Sequence, residues 1–113
     1  IHANGVDSSS VTGAMTICVT RRNQFVSSSM YKQSYNLSKA ILNAYVKETG
    51  CRKEYIWETD TMSGNNWSKV PTTLIELGYM SNPAEDRRMQ NAAYQKKMVN
   101  GMANGIKAYL LGQ

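Results

Sequence analysis

The sequence predicts an α/β fold in which helices cover a mixed or mostly parallel sheet. Three observations carry this reading: an alternating apolar run near the N-terminus, two segments with helical apolar spacing, and a short apolar run closed by glycine between them. In order, the elements read strand, helix, strand, strand, helix, helix, and sites on such folds gather beyond the strand ends.

From Gly13 to Thr20, Met15, Ile17 and Val19 alternate with Ala14, Thr16 and Cys18. Both sets suit burial, as expected of a strand inside a sheet. After a serine-rich stretch, Leu37, Ala40, Ile41, Ala44 and Tyr45 recur along one helical face, and Gly50 supplies the stop. A short strand is expected around Tyr55 to Trp57, followed by a loop over Asp60 to Ser68 of the kind that lines sites. Thr72 to Leu77 reads as a strand carrying one acid, Glu76, and ended by Gly78.

Asn82, Pro83 and Glu85 form a helix start, with Asn82 as N-cap, Pro83 at the first helical position and Glu85 three residues past the cap. A second start at Asn91 leads into an amphipathic helix with Tyr94, Met98, Met102, Ile106, Tyr109 and Leu110 on one face, ended by Gly112. Gly101 and Gly105 within it make a G-x-x-x-G. Polar neighbours exclude a membrane helix pair there, so close packing of the helix on the sheet is expected.

A chain of 113 residues with 42% apolar and 19% charged content fits one soluble globular domain with a single core. No apolar run approaches the roughly 18 residues that would span a bilayer, and the opening residues do not resemble a signal peptide. The chain opens without methionine in what reads as the end of a strand, so an N-terminal portion is expected to precede it. Cys18 and Cys51 lie too far apart for a C-x-x-C pair, which leaves two buried free thiols or one disulfide. The net charge of +5 is spread over pairs such as Arg21 and Arg22, Arg87 and Arg88, and Lys96 and Lys97. That spread favours anionic polymers in general. No helix-turn-helix, zinc-finger spacing or aromatic platform accompanies the charge, so a nucleic-acid partner is not expected.

The lone histidine, His2, sits at the end of an apolar strand start, where a rigid backbone can hold an imidazole for a metal; a surface role is the plain alternative. Glu76 is flanked by Leu74, Ile75 and Leu77, neighbours that would desolvate a carboxylate and raise its pKa toward that of a general base. A salt-bridged surface glutamate is the alternative.

These residues resemble a known family. His2-Ala3-Asn4 is similar to the histidine-alanine-asparagine motif of the zinc-dependent N-acetylmuramoyl-L-alanine amidases of the amidase 3 family, and Val70 to Pro83 resembles their glutamate signature. Glu85-Asp86, Tyr94-Gln95 and the helix from Gly101 to Tyr109 extend the resemblance over nearly the whole chain. It implies that residues 1–113 form the C-terminal part of one amidase catalytic domain, with an amidase/phosphorylase-like sheet incomplete on its N-terminal side. It implies a Zn2+ ion held by two histidines and a glutamate, with a second glutamate as base. His2 matches the last of the zinc ligands and Glu76 the catalytic glutamate; the other ligands are expected upstream. Asn4, Asn66 and Trp67 are the candidate substrate-binding residues, although Trp67 could equally pack its loop onto the domain. The implied substrate is the muramyl peptide of peptidoglycan, and the implied location is outside a bacterial cell or in its wall. A non-catalytic wall-binding module is the alternative. Pairing with the missing segment or with a second copy would complete the sheet.

Overall fold

The computed structural model describes residues 1–112, so Gln113, the last residue of the expected domain, lies outside the described residues. Four strands, β1 (His2–Asn4), β2 (Ala14–Cys18), β3 (Lys53–Glu58) and β4 (Leu74–Tyr79), form one sheet in the order β1-β4-β2-β3. β1 runs parallel to β4 and β3 parallel to β2, whereas β2 and β4 are antiparallel. The sheet is therefore mixed, and β2, paired on both sides, is buried at every position.

The helices are α1 (Ser28–Thr49), the one-turn α2 (Ser63–Asn66), α3 (Pro83–Met89) and α4 (Ala92–Leu110). Helix α1 begins nine residues before the first apolar residue of its expected stripe. Its start is set by the Ser27 hydroxyl, which accepts from the Met30 N–H at 3.1 Å, and its end by Gly50 in the left-handed region at φ 73°. The first half of its buried face is Tyr31, Ser34 and Ser38, a polar face that apolar periodicity does not register. Those serines bind the approach to β4: the Ser34 hydroxyl accepts from the Thr72 N–H at 3.0 Å, and the Ser38 hydroxyl bonds Thr73 Oγ1 at 2.7 Å.

Helices α1 and α4 cover one face of the sheet. The core lies between them and the strands, built from Ala14, Ile41, Leu42, Tyr45, Ile75, Tyr94 and Met98. The glycine pair of α4 serves this layer differently from the expected packing on the sheet. A methyl on Gly101 would sit 2.9 Å from the Tyr45 Cα, and one on Gly105 would sit 2.5 Å from the Ile41 Cα. The close contact is thus helix on helix, α4 against the backbone of α1.

Three further differences have local causes. The expected loop over Asp60 to Ser68 contains the turn of helix α2. Strand β4 passes through Gly78 to Tyr79, because Tyr79 still pairs with Asn4 and the Met80 N–H reaches the Asn4 carbonyl at 2.7 Å. Glu85 does not reach back to cap α3; the Asn82 Oδ1 alone does so, accepting from Ala84 N and Glu85 N, each at 3.1 Å. Cys18 and Cys51 are both buried and free. No helix among the described residues is long and apolar enough to cross a membrane.

An exposed helix interior normally gains up to about 1 kcal/mol when glycine becomes alanine. Here the sign reverses: Gly105→Ala is expected to destabilise by about 2 kcal/mol through overpacking against α1, and Gly101→Ala by less. Urea titration of the two variants checks both the sign and the order.

Candidate active site

Strand β1 carries His2 and strand β4 carries Glu76, and the parallel register puts the two residues directly opposite one another. The His2 Nδ1 lies 3.5 Å from the Glu76 Oε1, with the imidazole 61% exposed and the carboxylate side chain 11% exposed. Along β4, Ile75 turns into the helix-covered core, so Glu76 projects from the other face, where its cross-strand partner on β2 is the buried Met15. The Glu76 Oε2 is buried and has no hydrogen-bond partner among the described residues. Burial pushes the Glu76 carboxyl above its ordinary value, against the opposing pull of the His2 side chain.

A buried carboxylate oxygen left without a protein partner costs stability, and such a group in a native protein is accounted for by a bound water or ion or by a catalytic role. Beside it stands an imidazole whose outer side is open. An imidazole so placed is able to ligate a metal, and a buried carboxylate is able to take up a proton. Among the described residues no group of three His, Cys, Asp or Glu side chains comes together to hold a metal ion.

The other candidates fall elsewhere. Asn4 ends β1 next to Tyr79, and its Oδ1 turns back to accept from the Gly5 N–H at 2.9 Å. Asn66 is engaged by its own loop and by the loop after β2, donating to the Asp60 carbonyl and accepting from Asn23 Nδ2, both at 2.7 Å. Trp67 is 69% exposed and stands edge-to-face with another exposed ring, Phe25, at a centroid distance of 6.4 Å. The preceding Asn65 donates to the Ile17 carbonyl, opposite Leu74 at the start of β4. Asn4 and this loop therefore stand at opposite ends of β4, about 16 Å apart along the strand, with His2 and Glu76 between them.

Two polar centres had no distinguishing mark in the sequence. Asp60 gathers the Thr20 N–H at 2.8 Å, the Thr20 hydroxyl at 2.6 Å and Asn23 Nδ2 at 2.8 Å, which ties the loops that carry Phe25 and Trp67. Glu85, inside what reads as a capping pattern, is buried and receives hydrogen bonds from two distant backbone amides. Only tertiary proximity reveals either one.

Residues 1–108 match the amidase 3 family model, described as N-acetylmuramoyl-L-alanine amidase. The chain belongs to the amidase 3 family. An N-acetylmuramoyl-L-alanine amidase of Mycobacterium tuberculosis is 35% identical over 52 residues, covering 46% of this chain and 22% of that protein. The N-acetylmuramoyl-L-alanine amidase AmiC of Escherichia coli is 29% identical over 76 residues, covering 67% of this chain and 18% of that protein. Among solved structures, the CwlD amidase of Clostridioides difficile, in complex with the GerS lipoprotein, superposes with a TM-score of 0.85 at 23% identity, over 98% of this chain and 52% of that one. The catalytic domain of CwlV from Bacillus (Paenibacillus) polymyxa gives a TM-score of 0.80 at 22% identity, over 98% of this chain and 55% of that one. The chain thus has the amidase fold while spanning about half the length of these solved amidases.

The Asp60 cluster yields a pH test. Burial alone would raise the Asp60 carboxyl, but the hydrogen bonds from Thr20 and Asn23 outweigh it and hold the group below the ordinary aspartate range. A lowered folded-state pKa means stability that is present above the ordinary value, near pH 4, and lost as pH falls through the lowered one. Asp60→Ala is expected to cost about 1 kcal/mol at pH 7, with the gap to the parent shrinking below pH 4. Thermal unfolding across that range checks it.

Proposed function

We propose that this chain supplies the base and one zinc ligand of an N-acetylmuramoyl-L-alanine amidase, which hydrolyses the amide between N-acetylmuramic acid and L-alanine in peptidoglycan. The observation that carries this reading is the Glu76 carboxylate, buried, unpartnered at Oε2 and 3.5 Å from the only imidazole. Family membership over residues 1–108 supports the reaction class.

His2 would hold the ion, and the residues present fit in part. The donor set suits zinc, and the orphaned oxygen of Glu76 suits a carboxylate that acts on a group yet to arrive. A catalytic zinc takes three protein ligands and one open position, so His2 alone would not hold it, and the family resemblance would put the other two ligands upstream of His2. Zinc, when bound, supplies Lewis acidity at the scissile carbonyl. Glu76 accepts the proton of the attacking water and returns it to the departing L-alanine amine, so the carboxylate is regenerated each cycle. The implied place of work is the bacterial cell wall, outside the cytoplasmic membrane.

The surface beside β1 supports an upstream segment. β1 is an edge strand. Next to it an apolar groove of about 710 Å³ is lined by Ile1, Ile75, Val99, Met102, Ile106 and Leu110. Val99, Ile106 and Leu110 form an exposed second stripe on α4, turned away from α1. A strand added to β1 and a helix laid on that stripe would bury both. Two copies pairing edge to edge through β1 would cover the same surface and are the competing arrangement.

In a protein extended upstream to include the remaining ligands, Glu76→Gln is expected to lower release of stem peptide from purified peptidoglycan by about 10²–10⁴-fold with the fold intact. Cleavage kept within a few-fold would overturn the role of Glu76. Salt-sensitive sedimentation with peptidoglycan, with no hydrolysis by the parent, would indicate a wall-binding module instead.

A further inference from the structure

Glu85 is a buried carboxylate, 4% exposed, on the short helix α3, and the chemistry above makes no use of it. Its Oε1 accepts two backbone N–H groups, from Gly13 at 3.1 Å and from Tyr79 at 3.0 Å, while its Oε2 accepts from Arg88 Nη2 at 3.1 Å. Capping is not its task, since Asn82 already caps α3.

One amide belongs to β4, which carries Glu76, and the other to the β2 end of the loop that joins β1 to β2. Tyr79 closes β4, three residues after Glu76, and Gly13 closes the loop that leaves β1 after His2. Gly13 stands at φ 115°, a conformation that L side chains rarely adopt, and a methyl there would meet the Arg52 carbonyl at 2.9 Å. Gly78 leaves the space beside the carboxylate, since a methyl there would lie 3.2 Å from the Met89 sulfur and 3.5 Å from the Glu85 Oε1. Two neighbouring bonds tie the same loop to the same turn: Val6 N–H to the Ser81 hydroxyl at 3.2 Å, and Asn82 Nδ2 to the Ser9 carbonyl at 3.1 Å. Of these ties, only the one made by Glu85 is charged and buried. Charge-assisted bonds to an ionised acceptor are about twice as strong as neutral ones.

We infer that Glu85 is a positioning residue: its carboxylate clamps the end of β4 to the end of the loop leaving β1, and so holds Glu76 and His2 at their mutual distance. It touches neither residue and acts through the backbone. The inference rests on reading His2 and Glu76 as the site, but its test is independent of turnover.

Because His2 is the only histidine, its imidazole signals in a ¹³C/¹⁵N NMR spectrum of the 113-residue chain need no assignment. At one fixed pH, Glu85→Ala is expected to shift those signals and to speed hydrogen exchange at the Gly13 and Tyr79 amides by at least about tenfold, the scale of one lost hydrogen bond. Glu85→Gln, which keeps an acceptor at Oε1, is expected to leave the His2 signals near their parent positions. Should the alanine variant fail to fold, Glu85→Asp, which withdraws the carboxylate by one methylene, takes its place with the same expected direction. A control with similar loss of Tm away from the site, Ile56→Val on the opposite edge strand β3 or Gly101→Ala in α4, is expected to leave His2 unmoved. His2 signals that stay in place in a folded Glu85→Ala or Glu85→Asp chain, or that move as much in the control, would overturn the inference. Loss of the reading for Glu76 would show separately, as retained cleavage by Glu76→Gln.

Discussion

Strand β4 is hydrogen-bonded on both sides, parallel to β1 and antiparallel to β2, and this double pairing takes the Glu76 carboxylate out of water. The register with β1 sets His2 opposite Glu76, and the register with β2 sets Met15 opposite it on the other side. One neighbour can stabilise a charge and the other cannot. The carboxylate is therefore held between an imidazole and an apolar wall, with one oxygen unserved. Such an arrangement is costly in a resting protein and useful where a proton must be taken up and given back.

The rest of the fold serves to keep β4 in place. Helix α1 approaches the strand through serines, whose small side chains bond the segment entering β4. Helix α4 approaches α1 through glycines, so that the two helices form one thin layer over the sheet. At the far end, the β4 terminus is fixed by the Glu85 carboxylate and by the Met80 bond to Asn4. The β1 side is different: an edge strand lies next to an apolar groove, and the solved amidases of the same fold are about twice as long. The half of the site that rests on β1 is thus the half that an added segment would finish.

Much of this was legible in the sequence where a pattern has one physical meaning. Alternation over Gly13 to Thr20 marks β2 because burial on both sides demands apolar or small residues at every position. Asn82 and Asn91 mark helix starts because their side chains satisfy amides that nothing else can. The start of α1 was hidden because its buried face is made of Ser34 and Ser38, and burial there is achieved by hydrogen bonding. Glu85 was misread because a glutamate three residues past a cap has a local explanation, and the two amides it binds are 72 and 6 residues away. Within the site, the short separation of His2 from Glu76 follows from strand order, which no local pattern encodes. The sequence placed Asn4, Asn66 and Trp67 together as substrate-binding candidates; in the fold the loop of Asn66 and Trp67 stands at the end of β4 remote from Asn4, a separation that no local pattern encodes.

Zinc stoichiometry of the purified protein, extended upstream to its remaining ligands and compared with its His2→Ala variant and with the 113-residue chain, tests the central claim most directly. About one zinc per extended chain is expected, weakened at least tenfold in the variant, with no stoichiometric zinc in the short chain, where one imidazole faces the ion alone. Zinc held by the extended protein as tightly without the His2 imidazole as with it would contradict the account.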